Sequence, residues 1–128
     1  MRQEVKRLLI QGCPFDLVVA RTNEQIERGL ADREVGEGEG MLFVFDREEV
    51  QHFWMLGCIV PLDVAFIGRD GRVTAIHTMP VSTEPTHRMP SYTSESRCAH
   101  AIEVPAGTFE RIGLAVGDTI SGLVQNGE

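Results

Sequence analysis

The segment from Met41 to Ile67 constrains the chain more than any other. It holds four of the six phenylalanines (Phe43, Phe45, Phe53 and Phe66) and the only tryptophan, Trp54. Large aromatic side chains are mostly core material, so this is where the interior should be densest. Within it, Met41-Leu42-Phe43-Val44-Phe45 is apolar at both odd and even positions. Successive side chains of a strand point to opposite faces, so a strand here must be covered on both. One acid, Asp63, interrupts the apolar run Leu62-Asp63-Val64-Ala65-Phe66-Ile67. A charge there is costly unless it is paired or hydrogen-bonded.

The remainder reads as short elements joined by turn chemistry. Val5–Ile10 and Phe15–Ala20 are strand-like and flank Gly12-Cys13-Pro14, which predicts a hairpin. Thr22 followed by Gln25 has the form of a capping box and opens a predicted helix over Asn23–Asp32. The glycines of Glu34–Gly40 make that stretch a loop. Asp46-Arg47-Glu48-Glu49 is a polar excursion, after which Gln51–Met55 returns as a strand. Leu62–Ile67 and Arg72–Met79 flank an Asp70-Gly71 turn, the signature of a second hairpin. Pro80–Ser96 is a long polar loop, and a segment of that length in a small protein is functional or mobile. Arg97–Val104 is another strand. Thr108–Ile112 is a short helix ended by Gly113, and Asp118–Val124 is the last strand. The expected fold is mainly β (α+β): one compact, antiparallel, barrel-like domain over residues 1–128, with seven or eight short strands and two short helices.

Charge and cysteine content narrow the function classes. Nineteen acids against twelve lysines and arginines leave a net charge of -7, with no basic cluster. Nucleic-acid binding needs a concentrated cationic surface, so it is disfavoured. The three cysteines, Cys13, Cys58 and Cys98, are widely spaced and odd in number, which argues against a disulfide framework. No run of about twenty apolar residues predicts a membrane span. Only Leu8-Leu9-Ile10 follows the basic start, too short for a signal-peptide core, so a cytoplasmic location is expected.

Glu27-Arg28-Gly29-Leu30, the Gly40–Phe45 run, Phe53-Trp54-Met55, Pro61-Leu62-Asp63 and Ile102-Glu103-Val104-Pro105-Ala106-Gly107 follow one another in a characteristic order. Together they resemble the domain-of-unknown-function 192 family of small bacterial and archaeal proteins, over about Phe15 to Val124. The resemblance implies a compact, mostly β fold with a short helix near Glu27–Leu30. It implies no activity, cofactor or catalytic residue, since none is established for the family. Two departures stand out. Leu56-Gly57-Cys58 replaces the Lys-Asn-Thr usual after Phe-Trp-Met, and Ala31 replaces the usual methionine after Gly-Leu. Many relatives also carry an export leader.

Several chemistries compete at the residues that remain. Alternation places Asp63 on the face of Ala65 and Ile67, opposite Leu62, Val64 and Phe66. There it could be a general base, a metal ligand or a ligand anchor. It could equally be structural, accepting backbone N–H bonds or pairing with Arg28 or Arg33. Glu27 and Glu103 are the other carboxylates in family-like segments, and a pair of them facing one cavity would suit acid–base hydrolysis. Cys98-Ala99-His100, with Cys58 or His52, is a weak zinc or copper pattern. No sequence motif singles out a Cys–His nucleophile among Cys58, Cys98, His52, His77 and His100. Trp54 and His52 fall on the face opposite Phe53 and Met55, and an uncovered Trp54 would be a stacking platform. Glu34, Glu37 and Glu39 lack the ligand order of a calcium loop.

The leading expectation is a small-molecule- or partner-binding accessory domain, without metal or cofactor. Its cleft lies near Trp54 and Asp63, beside the Pro80–Ser96 loop, with Glu27, Arg28, Arg33 and Glu103 as further contributors. The alternatives are a hydrolase using Asp63 with Glu27, Glu103 or a histidine, and a structural subunit assembling through strand edges.

Overall fold

The computed structural model describes residues 3–123. The chain forms β1 (Val5–Ile10), β2 (Cys13–Ala20), α1 (Asn23–Arg28), β3 (Glu39–Glu49), β4 (His52–Phe53), β5 (Leu62–Ile67), β6 (Val73–Met79), β7 (Tyr92–Thr93), β8 (Cys98–Pro105) and α2 (Thr108–Ile112). Six strands build one sheet in the order β1-β2-β3-β8-β5-β6, and β4 and β7 form a separate two-stranded piece.

The sheet is mixed rather than antiparallel throughout. β2 and β3 run parallel, with Val18 opposite Met41. Parallel neighbours need a crossover, and here it carries α1 across one face of the sheet. Thr22 and Gln25 make the full capping box at the start of α1. The helix stops at Arg28, short of the expected Asp32, because Gly29 takes φ 52° and ψ -131°, which no helix continues. β3 extends beyond the apolar run through the polar excursion to Glu49, with an irregularity between Val44 and Glu49. The strand expected over Gln51–Met55 shrinks to His52–Phe53. The Pro80–Ser96 loop is partly ordered by the 3-10 turn Thr86–Arg88 and by β7. Gln51 N–H donates to Ser94 Oγ (2.8 Å) and Ser94 N–H to the Gln51 carbonyl (2.9 Å), which ties the loop to β4.

Alternation sorts the interior into two layers. Leu42 and Val44 of β3, Ala65 and Ile67 of β5, and Ile102 and Val104 of β8 pack into one cluster with Leu8 and Ile10 of β1 and Val73 of β6. Met41, Phe43 and Phe45, with Leu62, Val64 and Phe66, form the other, together with Phe53, Met55 and Leu30. The two edge strands thus meet in one core, so the sheet is strongly curled. It does not close into a barrel among the described residues: the gap is filled by the chain after α2. Val73 N–H donates to the Asp118 carbonyl, and Ile120 N–H to the Gly71 carbonyl, both at 2.8 Å. Of the strand expected over Asp118–Val124, the described part makes one bridge, Thr119 to Arg72, and Val124 lies outside the described residues.

Asp63 sits on the face of Ala65 and Ile67 and is 2% exposed. Its Oδ1 accepts from Thr78 Oγ1 at 2.7 Å and its Oδ2 from the Phe109 N–H at 3.1 Å. The N-cap of α2 is Gly107, in the left-handed region and without a capping side chain. The carboxylate of β5 therefore does from a distance what a local cap would do, and joins β5, β6 and α2. Neither Arg28 nor Arg33 is its partner.

Replacing Asp63 by alanine strands the buried Phe109 N–H and takes the partner from the Thr78 hydroxyl, which water can reach. An unsatisfied buried donor costs about 1–3 kcal/mol. The Asp63→Ala protein should therefore lose about 2 kcal/mol of stability in urea unfolding, and a loss below about 1 kcal/mol would refute this role.

Candidate functional site

A cavity of about 500 Å³ opens between α1 and the β4 region, over the layer that contains Phe43. Glu27, Arg28, Gly29 and Leu30 line one side and Gln51, His52, Phe53 and Trp54 another; Leu56, Cys58, Phe43 and Glu103 complete the wall. Local folding explains each placement. The capping box fixes the start of α1, and Gly29 ends it abruptly, so Glu27 and Arg28 stay exposed while Leu30 turns inward. In the chain after β3, Phe53 and Met55 point into the core, and Trp54 points out, 43% exposed. Phe53 is held by Phe43 (ring centroids 4.8 Å apart) and Phe66 (5.2 Å).

Glu103 comes from the middle of β8, opposite Met41 of β3 and Val64 of β5. It is 4% exposed. Among the described residues its carboxyl group has no hydrogen-bond or ion-pair partner. Burial alone pushes this carboxyl up to about 8, so at neutral pH it is mainly the neutral acid. Two glycines shape its surroundings. A side chain at Gly40 would run into the Glu103 carbonyl oxygen, so only glycine lets β3 approach β8 here. A Cβ at Gly29 would lie 3.7 Å from Glu103 Oε1, which places the end of α1 directly against the acid.

The other candidates separate. Glu27, Arg28, Trp54 and Glu103 share the cavity; Asp63 and Arg33 do not line it, and neither does any residue of Pro80–Ser96. Arg33 lines a different hollow beside Asp16, Glu34 and Glu39. A cleft joining Trp54 to Asp63 is not formed, because the two lie on opposite faces of the sheet. His52 is the one histidine of the cavity; His77 is committed to β7, its Nε2 donating to the Thr93 carbonyl at 2.7 Å. Cys58 is pushed up to about 11, first by burial and then by the Glu103 and Asp32 carboxyls. Cys98, buried and bonded to the Glu49 carbonyl, is also pushed up to about 11. Both stay thiols at neutral pH, and thiols are poor nucleophiles. Among the described residues no three His, Cys, Asp or Glu side chains gather as a metal site would require. No described helix is long and apolar enough to cross a membrane.

Sequence reasoning named Glu103 but ranked Asp63 above it. Both are acids inside apolar strands, and only the partners distinguish them. Gly29 as a wall of the site was missed, although an isolated glycine after a capped helical turn is a usable signal.

Fold and cavity together define a mostly β protein with a mixed, curled sheet and an acid-floored pocket beneath a short helix. The chain belongs to the DUF192 family, described as "Uncharacterized ACR, COG1430", which matches residues 7–122. It is similar to a protein of Sinorhizobium meliloti 1021 whose name proposes a transcription regulator. The two are 32% identical with a TM-score of 0.75, covering 92% of this chain and 91% of the other. It is also similar to a protein of unknown function from Novosphingobium aromaticivorans DSM 12444. That pair is 25% identical with a TM-score of 0.74, covering 91% and 82%. No protein of curated function matches.

The buried acid makes stability pH-dependent. Unfolded, Glu103 returns to its ordinary value of 4.5, whereas the folded chain keeps its proton until about 8. Between those values the folded state holds the extra proton, so raising the pH favours unfolding, by up to about 1.4 kcal/mol per pH unit. Below that window both states are protonated; above it both are ionised and the penalty is constant. Urea titrations of the wild type and Glu103→Gln should diverge across this window, the variant gaining relative stability as pH rises. Parallel curves would show that Glu103 is already ionised.

Proposed function

We propose that the protein is a binding module for a small organic molecule, seated in the cavity beneath α1 with Glu103 at its floor and Trp54 at its rim. The observation that supports this reading is Glu103 itself. Its carboxyl group opens on the cavity and has no hydrogen-bond partner among the described residues, so a ligand can supply the missing partner. Every other strongly buried carboxylate argument ends at Asp63, whose two oxygens are already occupied by Thr78 and Phe109. The volume of about 500 Å³ falls in the range of small-molecule sites, and the wall combines aromatic side chains with polar ones that could orient a ligand. The thiol state of Cys58 favours binding over nucleophilic catalysis. The net charge of -7 gives no footing for transferring the DNA-related name of the Sinorhizobium protein.

One observation favours a second reading, hydrolysis: Glu27 lines the same cavity as Glu103, so an exposed carboxylate and a buried acid border one space. That arrangement would allow one group to activate water and the other to protonate a leaving group. It predicts turnover that Glu27→Gln abolishes without weakening substrate binding.

Trp54 is the only tryptophan, so its emission reports directly on the cavity. Native mass spectrometry of freshly purified protein should reveal a retained small molecule, or a compound screen should find one that shifts this emission. Glu103→Leu should weaken such a ligand by roughly tenfold or more, about 1.4 kcal/mol. Asp63→Asn should leave its affinity unchanged under conditions where the variant is folded. If Glu103→Leu and Trp54→Ala both leave the affinity unaltered, the ligand sits elsewhere and the reading fails.

A further inference from the structure

The chemistry of the Glu103 carboxyl allows the ligand class to be narrowed, an inference that rests on the binding reading above. A carboxylic acid is an unusual floor for a cavity because one group offers two complementary functions side by side. Its hydroxyl donates one hydrogen bond and its carbonyl oxygen accepts another. In this protein neither function is used internally: Glu103 has no side-chain partner among the described residues, although it is 4% exposed. The groups that face it do not alter this. Glu27 and Arg28 approach from α1 and His52 from β4, with Cys58 from the chain that follows. Its strand neighbours Met41 and Val64 are apolar. The one acid of β5, Asp63, points to the opposite layer.

An occupant must therefore bring an acceptor and a donor to adjacent positions. A lone carbonyl or ether would leave the acid's own carbonyl unpaired, and an ammonium group would require the ionised form that burial opposes. A cyclic amide fits, because its N–H and C=O are fixed on one edge at the spacing of a carboxylic acid pair. The walls are compatible with a flat ring. Phe43 and Phe53, with ring planes inclined by 59°, line the cavity together with the acid, and Trp54 and Leu56 add exposed apolar surface. Aromatic faces of this kind stack on planar heterocycles largely irrespective of their identity.

We infer that the cavity takes an uncharged planar heterocycle with a cyclic-amide edge, whose adjacent N–H and C=O pair with the two oxygens of Glu103 while its ring lies against the exposed Trp54.

The test uses three small probes on the intact protein, followed through Trp54 emission and calorimetry. They are 2-pyridone, which has the amide edge; N-methyl-2-pyridone, which lacks the donor; and benzoate, a planar anion. At about pH 6.5, 2-pyridone should bind roughly tenfold more tightly than N-methyl-2-pyridone, and benzoate more weakly still. At about pH 9.5, with circular dichroism confirming the fold, 2-pyridone should lose roughly tenfold in affinity as Glu103 ionises. Glu103→Gln places an amide with the same adjacent donor and acceptor there, so it should retain 2-pyridone binding without the pH dependence. Glu103→Met, which keeps bulk without hydrogen bonds, should lose it. If N-methyl-2-pyridone or benzoate binds as well as 2-pyridone, the cyclic-amide inference is overturned while the cavity remains a binding site. If no probe or screened compound perturbs Trp54 and no ligand is retained on purification, the binding reading falls with it.

Discussion

The insertion of β8 between β3 and β5 is the constraint on which the rest of the structure depends. Without it the sheet would fall into two pieces, β1-β2-β3 and β5-β6, with no strand pairing between them. β8 supplies Ile102 and Val104 to one layer and Ala101 to the other, so both layers are continuous only because this strand is present. Its fit is tight enough that β3 must present Gly40 where it passes the Glu103 carbonyl. The same insertion carries Glu103 into the middle of the sheet, where backbone ladders occupy both sides and only the face toward α1 is open. The architecture and the candidate site thus share one cause.

Asp63 and Glu103 show how similar local sequences reach opposite states. Each is an acid within an apolar strand, and each is almost fully buried. Asp63 meets two donors, a threonine hydroxyl on β6 and the amide of Phe109 at the start of α2, and acts as a long-range cap. Glu103 meets none, and burial pushes its carboxyl up to about 8. One acid thereby became part of the framework, while the other lines a cavity without a hydrogen-bond partner among the described residues.

Much of the local architecture was legible. The β5–β6 hairpin follows from Asp70-Gly71, the start of α1 from Thr22 and Gln25, and the two-sided burial of β3 from an apolar run without alternation. The outward Trp54 and inward Phe53 and Met55 followed from period-two alternation even though the strand itself is short. The parallel pairing of β2 with β3 was not legible, because a crossover announces itself only by what lies at its two ends. Nor was the strand-free closure after α2, where bonds from residues 117–120 to the β5–β6 turn and β6 replace a sixth ladder. The cleft was expected between Trp54 and Asp63, which lie near each other in sequence; the sheet separates them onto opposite faces.

The sequence by itself determined which residues are interior, where the turns fall and which few acids sit in apolar surroundings. Those properties depend on side-chain polarity and on spacing of two or four residues, both of which the chain carries locally. Only the tertiary structure decided which buried acid would find donors, which glycine would border the cavity, and that Glu27, Trp54 and Glu103 would face one space. Those outcomes depend on contacts between residues far apart in the chain, set by where β8 enters the sheet, and no local pattern encodes that register.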